Sequence, residues 1–206
     1  MERSEIRGSA SIVPGCASLH PGYGHRLRPH RALQGVAGFP TMPATSSNAE
    51  SRMLTLQKSN VIAEAILKKG REMKLRPLCV VVTDIGARIK TAQREDGCSQ
   101  ARVEMALGKA VASLALGRSS AFVRERQKQG PEFVAQVQNF VGEQKMFMVG
   151  GGELIRDEAG NILGAVGVTG ATEDEDELLV AHGIRAAGFK TDQDLAHLGA
   201  MVRSKA

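Results

Sequence analysis

Aromatic side chains are scarce in this chain of 206 residues, which contains six Phe, one Tyr and no Trp. A hydrophobic core must therefore be built from Val, Ile, Leu, Ala and Met. No apolar run approaches the ~20 residues that a membrane-spanning helix needs, so we expect no membrane segment. The formal net charge of +5 is not gathered into a Lys/Arg-rich block with interleaved aromatic residues, so we expect no nucleic-acid partner.

Cysteine is rare as well. Cys16, Cys79 and Cys98 are odd in number and show no Cys-x-x-Cys spacing, which argues against both a disulfide framework and a structural zinc site. The sequence also lacks the motifs typical of nucleotide loops, serine hydrolases and zinc proteases. We therefore expect a protein of a reducing, cytoplasmic compartment, with no metal site built from its side chains.

The composition divides the chain into three parts. Residues 1–53 contain five of the seven prolines and show no sustained hydrophobic periodicity, so we expect a disordered N-terminal tail. Regular patterns begin at Leu54, and they predict a domain over residues 54–190. Residues 191–206 then form a C-terminal extension.

Within the domain, the pattern predicts the order α-β-β-α-α-α-β-β-β-α. The strands are "LCVVVTD", "RIKTAQRED", "KMFMV", "ELIRD" and "ILGAVGVTG". Ser99 is the predicted N-cap of the second helix, and Thr172 with Glu175 predicts a capping box at the start of the last one. Because hairpin-linked strands flank the helical insertion, the order predicts an α+β fold with an antiparallel five-stranded sheet flanked by helices.

The last strand is rich in glycine, at Gly164, Gly167 and Gly170. The missing side chains leave a flat space for either a helix or neighbouring subunit, or a planar ligand or small carboxylate. We favour packing at Gly167 and a ligand at Gly170, which lies beside the Thr169 hydroxyl. The backbone N–H groups of residues 150–152 are a further candidate anion site.

Charged residues of alternating sign follow one another at Asp84, Arg94, Asp96 and Lys109. They predict either a structural ion-pair network or a site at which Arg94 or Lys109 pairs with a carboxylate of a ligand. Glu153 follows the glycine run directly. It is a candidate general acid or base if burial raises its pKa toward neutrality.

Three stretches carry a family resemblance: "VVVTDIGARIKTAQREDG" (80–97), "EMALGKAVASLALGRSS" (104–120) and "GGGELIRDEAGNILGAVGVTGATEDEDELLVAHGIRAAG" (150–188). They resemble the GlcG/HbpS-like family, which includes the C-terminal domain of PduO proteins. Glu153 departs from the family pattern, in which Pro follows the glycine run. The resemblance implies a profilin-like fold, a homo-oligomer and, in some members, binding of haem or a corrinoid-type tetrapyrrole.

Two functions follow as hypotheses. The first is a small-ligand-binding protein whose ligand is haem or a related tetrapyrrole, with no strong pair of axial ligands in the sequence. Its candidate ligand-binding residues are Arg94, Asp96, Gly150, Gly151, Gly152, Gly167, Thr169 and Gly170. The second is a small hydratase, lyase or tautomerase that acts on a carboxylated intermediate of a catabolic pathway. Its candidate catalytic residues are Glu153, Asp84 and Lys109.

Overall fold

The structure is a computed structural model, and it describes residues 53–195. The predicted N-terminal tail, apart from Met53, and most of the predicted C-terminal extension lie outside the described residues. The elements are α1 (Leu56–Glu72), β1 (Cys79–Asp84), β2 (Ile89–Arg94), α2 (Arg102–Leu116), α3 (Ser120–Gln129), α4 (Pro131–Phe140), β3 (Gly152–Arg156), β4 (Ile162–Thr169) and α5 (Glu173–Ala186). None of these helices combines the length and the apolar character needed to cross a lipid bilayer.

The strands form one antiparallel sheet in the order β2-β1-β4-β3. This confirms the α+β class and the antiparallel sheet, but the described chain has four strands where the sequence predicted five. The segment "KMFMV" (145–149) is not a strand, because its backbone N–H groups form hydrogen bonds with helices and not with a neighbouring strand. The N–H of Phe147 donates to the carbonyl of Gly108 at 3.0 Å, and that of Met146 donates to the Gln138 side chain at 2.7 Å.

Helices α1 and α5 cover one face of the sheet. The strands contribute alternate residues to this face, as the two-residue period of a strand requires. Gly183 lets the two helices approach closely, since an added Cβ would lie 2.8 Å from the carbonyl oxygen of Ile62. The buried side chains of this layer include Ile62, Ile66, Val80, Val82, Ile155, Val166, Val168, Leu179 and Ile184.

Helix α2 covers the other face with small side chains. Ala106 and Ala110 are fully buried there against Val81, Leu154 and Ala165. The alanine-rich face of α2 therefore packs on the sheet within the subunit. Helices α3 and α4 pack on the outer side of α2 through a separate apolar cluster.

Helix ends follow the sequence signals with one exception. Gly117 ends α2 in the left-handed conformation (φ 66°), Ser119 caps α3, and Thr172 with Glu175 forms the predicted capping box. Ser99 does not cap α2: the helix begins at Arg102, and no side chain caps it.

Strand β3 lies at one edge of the sheet, and its three outward-facing N–H groups all have partners. Gly152 donates to the Ser120 hydroxyl at 2.8 Å, and Leu154 donates to the Glu153 carboxyl at 2.9 Å. Arg156 donates to the carbonyl of Lys190 at 3.0 Å. The opposite edge, β2, pairs only with β1 among the described strands.

Candidate functional site

Most of the predicted site residues meet at one end of the sheet. Cys79 of β1 pairs with Arg94 on one side and with Thr169 on the other, so these residues form one row across three strands. Gly152 pairs with Gly167 at the same end. Asp84 lies at the opposite end of β1, where its carboxylate accepts hydrogen bonds from backbone N–H groups of the following turn.

Arg94 is exposed at this end of the sheet. It borders an open cavity of about 390 Å³, together with Arg71, Pro77, Glu95 and Asp96. Arg71 forms an ion pair with Glu95, whereas Arg94 has no ion-pair partner among residues 53–195. Arg94 is therefore free to bind an anion. The four charged residues singled out in the sequence do not form one ion-pair network.

The glycines in β4 and directly after it face protein atoms. An added Cβ at Gly167 would overlap the carbonyl oxygen of Ala106, so the space there is occupied by α2. Gly170 has φ +145°, and a Cβ there would lie 2.5 Å from the carbonyl oxygen of Pro77. The hydroxyl of Thr169 is buried and accepts a hydrogen bond from Arg102 at 2.8 Å.

The glycine run before β3 also has partners. The N–H of Gly150 donates to the carboxylate of Glu173 at 2.9 Å, and that of Gly152 donates to Ser120. Gly151 has φ +99°, which favours glycine. Two of the three N–H groups proposed for an anion are thus engaged within the subunit.

Lys109 is 1% exposed and forms a buried ion pair. Its Nζ lies 2.8 Å from Asp176 and donates to the carbonyl of Val168 at 2.7 Å, which joins α2 to α5 past the end of β4. Burial lowers the pKa of Lys109 and raises that of Asp176, because it disfavours both charged forms. Lys109 is not among the residues that line the described cavities.

Glu153 lines a second cavity, of about 360 Å³, between β3 and α5. The residue is 7% exposed, and one carboxyl oxygen accepts the hydrogen bond from the N–H of Leu154. Burial is the main cause that raises the pKa of Glu153 to about 8, and nearby Asp192 contributes to this shift. At neutral pH this carboxyl is mostly protonated. The cavity is lined by Ser119, Gly152, Glu153, Asp174, Glu177, Leu178, Val180, Ala181, Arg185 and Gln193.

Asp174 and Glu177 also line this cavity, although neither is among the site residues predicted from the sequence. Acidic residues are favoured in the first turn of any helix, so the run alone does not indicate a cavity. The available signal was helical spacing, because positions 174, 177, 178, 181 and 185 lie on one face of α5. Burial raises the pKa of Glu177 as well.

The described residues offer little for a metal ion. No group of three or more His, Cys, Asp or Glu side chains within residues 53–195 is arranged to hold one. His182 is the only histidine of this part of the chain, and it lies exposed on α5.

Comparisons with known proteins identify the family. Residues 54–185 match the family described as "Haem degrading protein HbpS-like". Because this match covers more than half of the chain, the protein belongs to the HbpS-like family, which confirms the resemblance seen in the sequence. No curated protein was found to match the chain.

Solved structures share the fold at low sequence identity. Klebsiella pneumoniae protein ORFY is 22% identical with a TM-score of 0.59, and the match covers 72% of this chain and 98% of that one. A complex of the PduO C-terminal domain with haem is 16% identical with a TM-score of 0.59, covering 68% and 98%. A double mutant of Streptomyces reticuli HbpS is 21% identical with a TM-score of 0.56, covering 76% and 97%.

Proposed function

We propose that this protein binds haem or a related tetrapyrrole, as a small-ligand-binding member of the HbpS-like family. The observation that carries the proposal is the family match, which extends over nearly all of the described domain. A structure of the same fold, that of the PduO C-terminal domain, is a complex with haem. Fold alone does not transfer a ligand, so the residues of this chain must fit it.

The carboxylates of a tetrapyrrole fit the sheet end at Arg94. Its guanidinium is exposed and has no ion-pair partner among the described residues, and a planar guanidinium binds a carboxylate through two parallel hydrogen bonds. The cavity beside Arg94 is open and mostly charged, so it does not cover an apolar ring. We propose that a second copy of the chain supplies that cover, in a pocket between subunits.

The iron of haem fits less well. His182 is exposed and distant in sequence from the sheet end, and the Thr169 hydroxyl is already bonded to Arg102. The cavity at Glu153 is unsuited to propionates, because Asp174 and Glu177 would repel them. The ring and its carboxylates, rather than the iron, therefore carry the proposed affinity.

Titration of the purified full chain tests the proposal. Haemin should give a saturable shift of its Soret band, and protoporphyrin IX without iron should bind with an affinity within about fivefold, since the iron adds little. Arg94→Ala should lower the affinity for both ligands by about tenfold, which is the contribution expected of one charge-assisted hydrogen-bonded contact. Lys128→Ala, which removes an exposed cation of α3 away from this hairpin, is the control. A haemin titration without saturation would refute the proposal.

Proton transfer to a carboxylated substrate is the second candidate function, and the protonated Glu153 favours it. The other residues that this reaction would need are far from Glu153. Arg94 and Glu153 lie on opposite edge strands, whose axes are about 14 Å apart at ~4.8 Å for each strand spacing, and they are also offset along the strands. Lys109 is buried, and Asp84 lies at the other end of the sheet. Keto–enol interconversion of a 2-oxo acid, followed by ultraviolet absorbance in wild type and Glu153→Gln, tests this candidate.

A further inference from the structure

Two free thiols, those of Cys79 and Cys98, belong to one side-chain cluster beneath α2. We propose that these two cysteines form a reversible intramolecular disulfide by exchange with a small-molecule disulfide such as oxidised glutathione, and that Cys98 reacts first. The proposal concerns a covalent modification of the protein, and it does not depend on haem binding.

The turn after β2 folds back against the residue that precedes Cys79. The N–H of Glu95 donates to the carbonyl of Leu78 at 3.1 Å, and the N–H of Leu78 donates to the Glu95 carboxylate at 2.7 Å. The N–H of Cys98 then donates to the carbonyl of Glu95 at 3.2 Å. Such a turn keeps its first and last Cα atoms within ~7 Å of each other. Cys98 is therefore held near the start of β1.

Gly97 determines the path of this turn. Its φ of 84° lies in the left-handed region, which favours glycine. A Cβ at Gly97 would lie 3.4 Å from the Pro77 ring, so the turn contacts the segment that leads into β1. Cys98 is the next residue of the turn, and Cys79 is the first residue of β1.

The side chains of both cysteines reach the same apolar cluster. Cys79 is fully buried with Val81 and Ala106, and Cys98 packs against this cluster. Burial raises the pKa of the Cys79 thiol to about 11, and Cys98 is the next largest cause, ahead of the cross-strand neighbour Arg94. Because electrostatic effects weaken with distance, this order agrees with two adjacent thiols.

The difference in exposure determines which thiol reacts first. Cys98 is half-buried, so a small reagent reaches it, whereas Cys79 is fully buried. The thiolate is the nucleophile in thiol–disulfide exchange, and the raised pKa of Cys79 keeps its thiol protonated at neutral pH. Cys98 is therefore the thiol that attacks an external disulfide.

The exchange has two steps. The Cys98 thiolate attacks one sulfur of oxidised glutathione, which forms a mixed disulfide and releases one glutathione thiolate. The Cys79 sulfur then attacks the Cys98 sulfur and breaks the mixed disulfide, and its proton passes to the second glutathione that leaves. Two protein thiols are thereby oxidised, and one glutathione disulfide is reduced to two glutathione molecules. Because the second step is intramolecular, proximity offsets the small thiolate fraction of Cys79.

The bond would connect the turn that carries Asp96 to β1. Asp96 lines the open cavity beside Arg94, so oxidation would fix one wall of that cavity. A disulfide also restricts the unfolded chain between its two cysteines, which stabilises the folded state. The oxidised protein should therefore melt at least about 5 °C above the reduced protein.

Peptide mapping of the full chain tests the inference. The reduced protein is incubated with oxidised glutathione at pH 8, its remaining thiols are blocked, and it is digested with trypsin without reductant. We expect peptides 75–88 and 95–102, which contain Cys79 and Cys98, to be linked to each other and to separate on addition of dithiothreitol. The oxidised chain should migrate as a monomer in a non-reducing denaturing gel. A lasting glutathione adduct without linked peptides, a link to Cys16 or between chains, or no reaction at Cys98 would overturn the proposal.

Variants test the order of the two steps. Cys79→Ser should stop the reaction at the glutathione adduct of Cys98, and Cys98→Ser should lower the rate of glutathione incorporation at position 79 at least tenfold. Cys16→Ser leaves both cysteines in place and should form the linked peptides at the wild-type rate. Thermal unfolding checks that the variants fold, and Cys79→Ala replaces Cys79→Ser if the core does not accept serine. Failure of the folded Cys79 variant to accumulate the adduct would contradict the assigned order.

Discussion

At Glu153, burial and hydrogen bonding act on the same carboxyl group in opposite directions. Burial disfavours the charged form and dominates, whereas the N–H of Leu154 favours that form. The result is a carboxylic acid that keeps its proton at neutral pH within the wall of a cavity. Such a group costs folding free energy whenever it must ionise.

The stability of the protein should therefore fall between about pH 4.5 and pH 8. The pKa of Glu153 is 4.5 without perturbation and about 8 in the folded chain, so the folded state binds more protons in this interval. Each unit between the two pKa values is worth about 1.4 kcal/mol, which gives a penalty on the order of 5 kcal/mol above pH 8.

Urea unfolding of Glu153→Gln at pH 5 and pH 9 measures this penalty. The variant should match the wild type at pH 5 and exceed its free energy of unfolding at pH 9, because the amide cannot ionise. Glu158→Gln, in the exposed turn after β3, should have the same free energy of unfolding as the wild type at both pH values. Equal pH dependence in all three proteins would contradict the assigned burial of Glu153.

Glu153 is a buried acid without a cationic partner, whereas the buried charges of Lys109 and Asp176 compensate each other in an ion pair. Lys109→Met leaves Asp176 without its cation and should destabilise the protein by about 3–5 kcal/mol. The double variant with Asp176→Leu should be more stable than Lys109→Met alone. Lys128→Met removes an exposed lysine paired with Glu125 and should cost at most about 1 kcal/mol. A small effect of Lys109→Met in urea unfolding would argue that water reaches this pair.

Among the elements, helix α2 and strand β4 show how far local sequence determines contact. The glycines of β4 indicated a close approach, but the pattern alone left helix, subunit and ligand as alternatives. In the structure the backbone of α2 fills the space at Gly167.

Gly167→Val should therefore destabilise the protein by about 3 kcal/mol or more, because its side chain would overlap the carbonyl of Ala106. Gly130→Ala provides the control, since its Cβ would meet only the Arg126 side chain at 3.6 Å. Chemical unfolding of both variants measures the difference. Wild-type stability in Gly167→Val would mean that α2 and β4 are farther apart than described.

Elements with strong local signals could be predicted from the sequence. Pro131 at the start of α4, Gly117 at the end of α2 and the capping box of α5 depend only on neighbouring residues. The conformation of residues 145–149 could not be predicted in this way. Alternating apolar residues are typical of a strand, but they are also found in an extended segment that packs against helices, as here. Strand order is likewise not local, so the separation of Arg94 from Glu153 was not foreseeable.

For the whole molecule, the family resemblance predicts a homo-oligomer, and the described surface suggests where copies meet. Ile85 and Ile89 are 66% and 50% exposed in the hairpin that ends in β2. Light scattering at micromolar concentration should show a mass above that of the monomer, and Ile89→Lys should lower it. Phe140→Lys, at an exposed apolar residue of α4, should not. A monomeric wild type would contradict the prediction and remove the basis for a tetrapyrrole pocket between subunits.

The occupied outer edge of β3 has a consequence for how copies of the chain can add to one another. A sheet with two open edges can extend indefinitely, as it does in fibrils. Here the outward N–H groups of Gly152, Leu154 and Arg156 already have partners, so among the four described strands β2 alone has an edge open to another strand. Two copies that join through β2 use up both open edges. Growth by strand addition then stops at a closed pair, which protects the protein from polymerising through its own sheet.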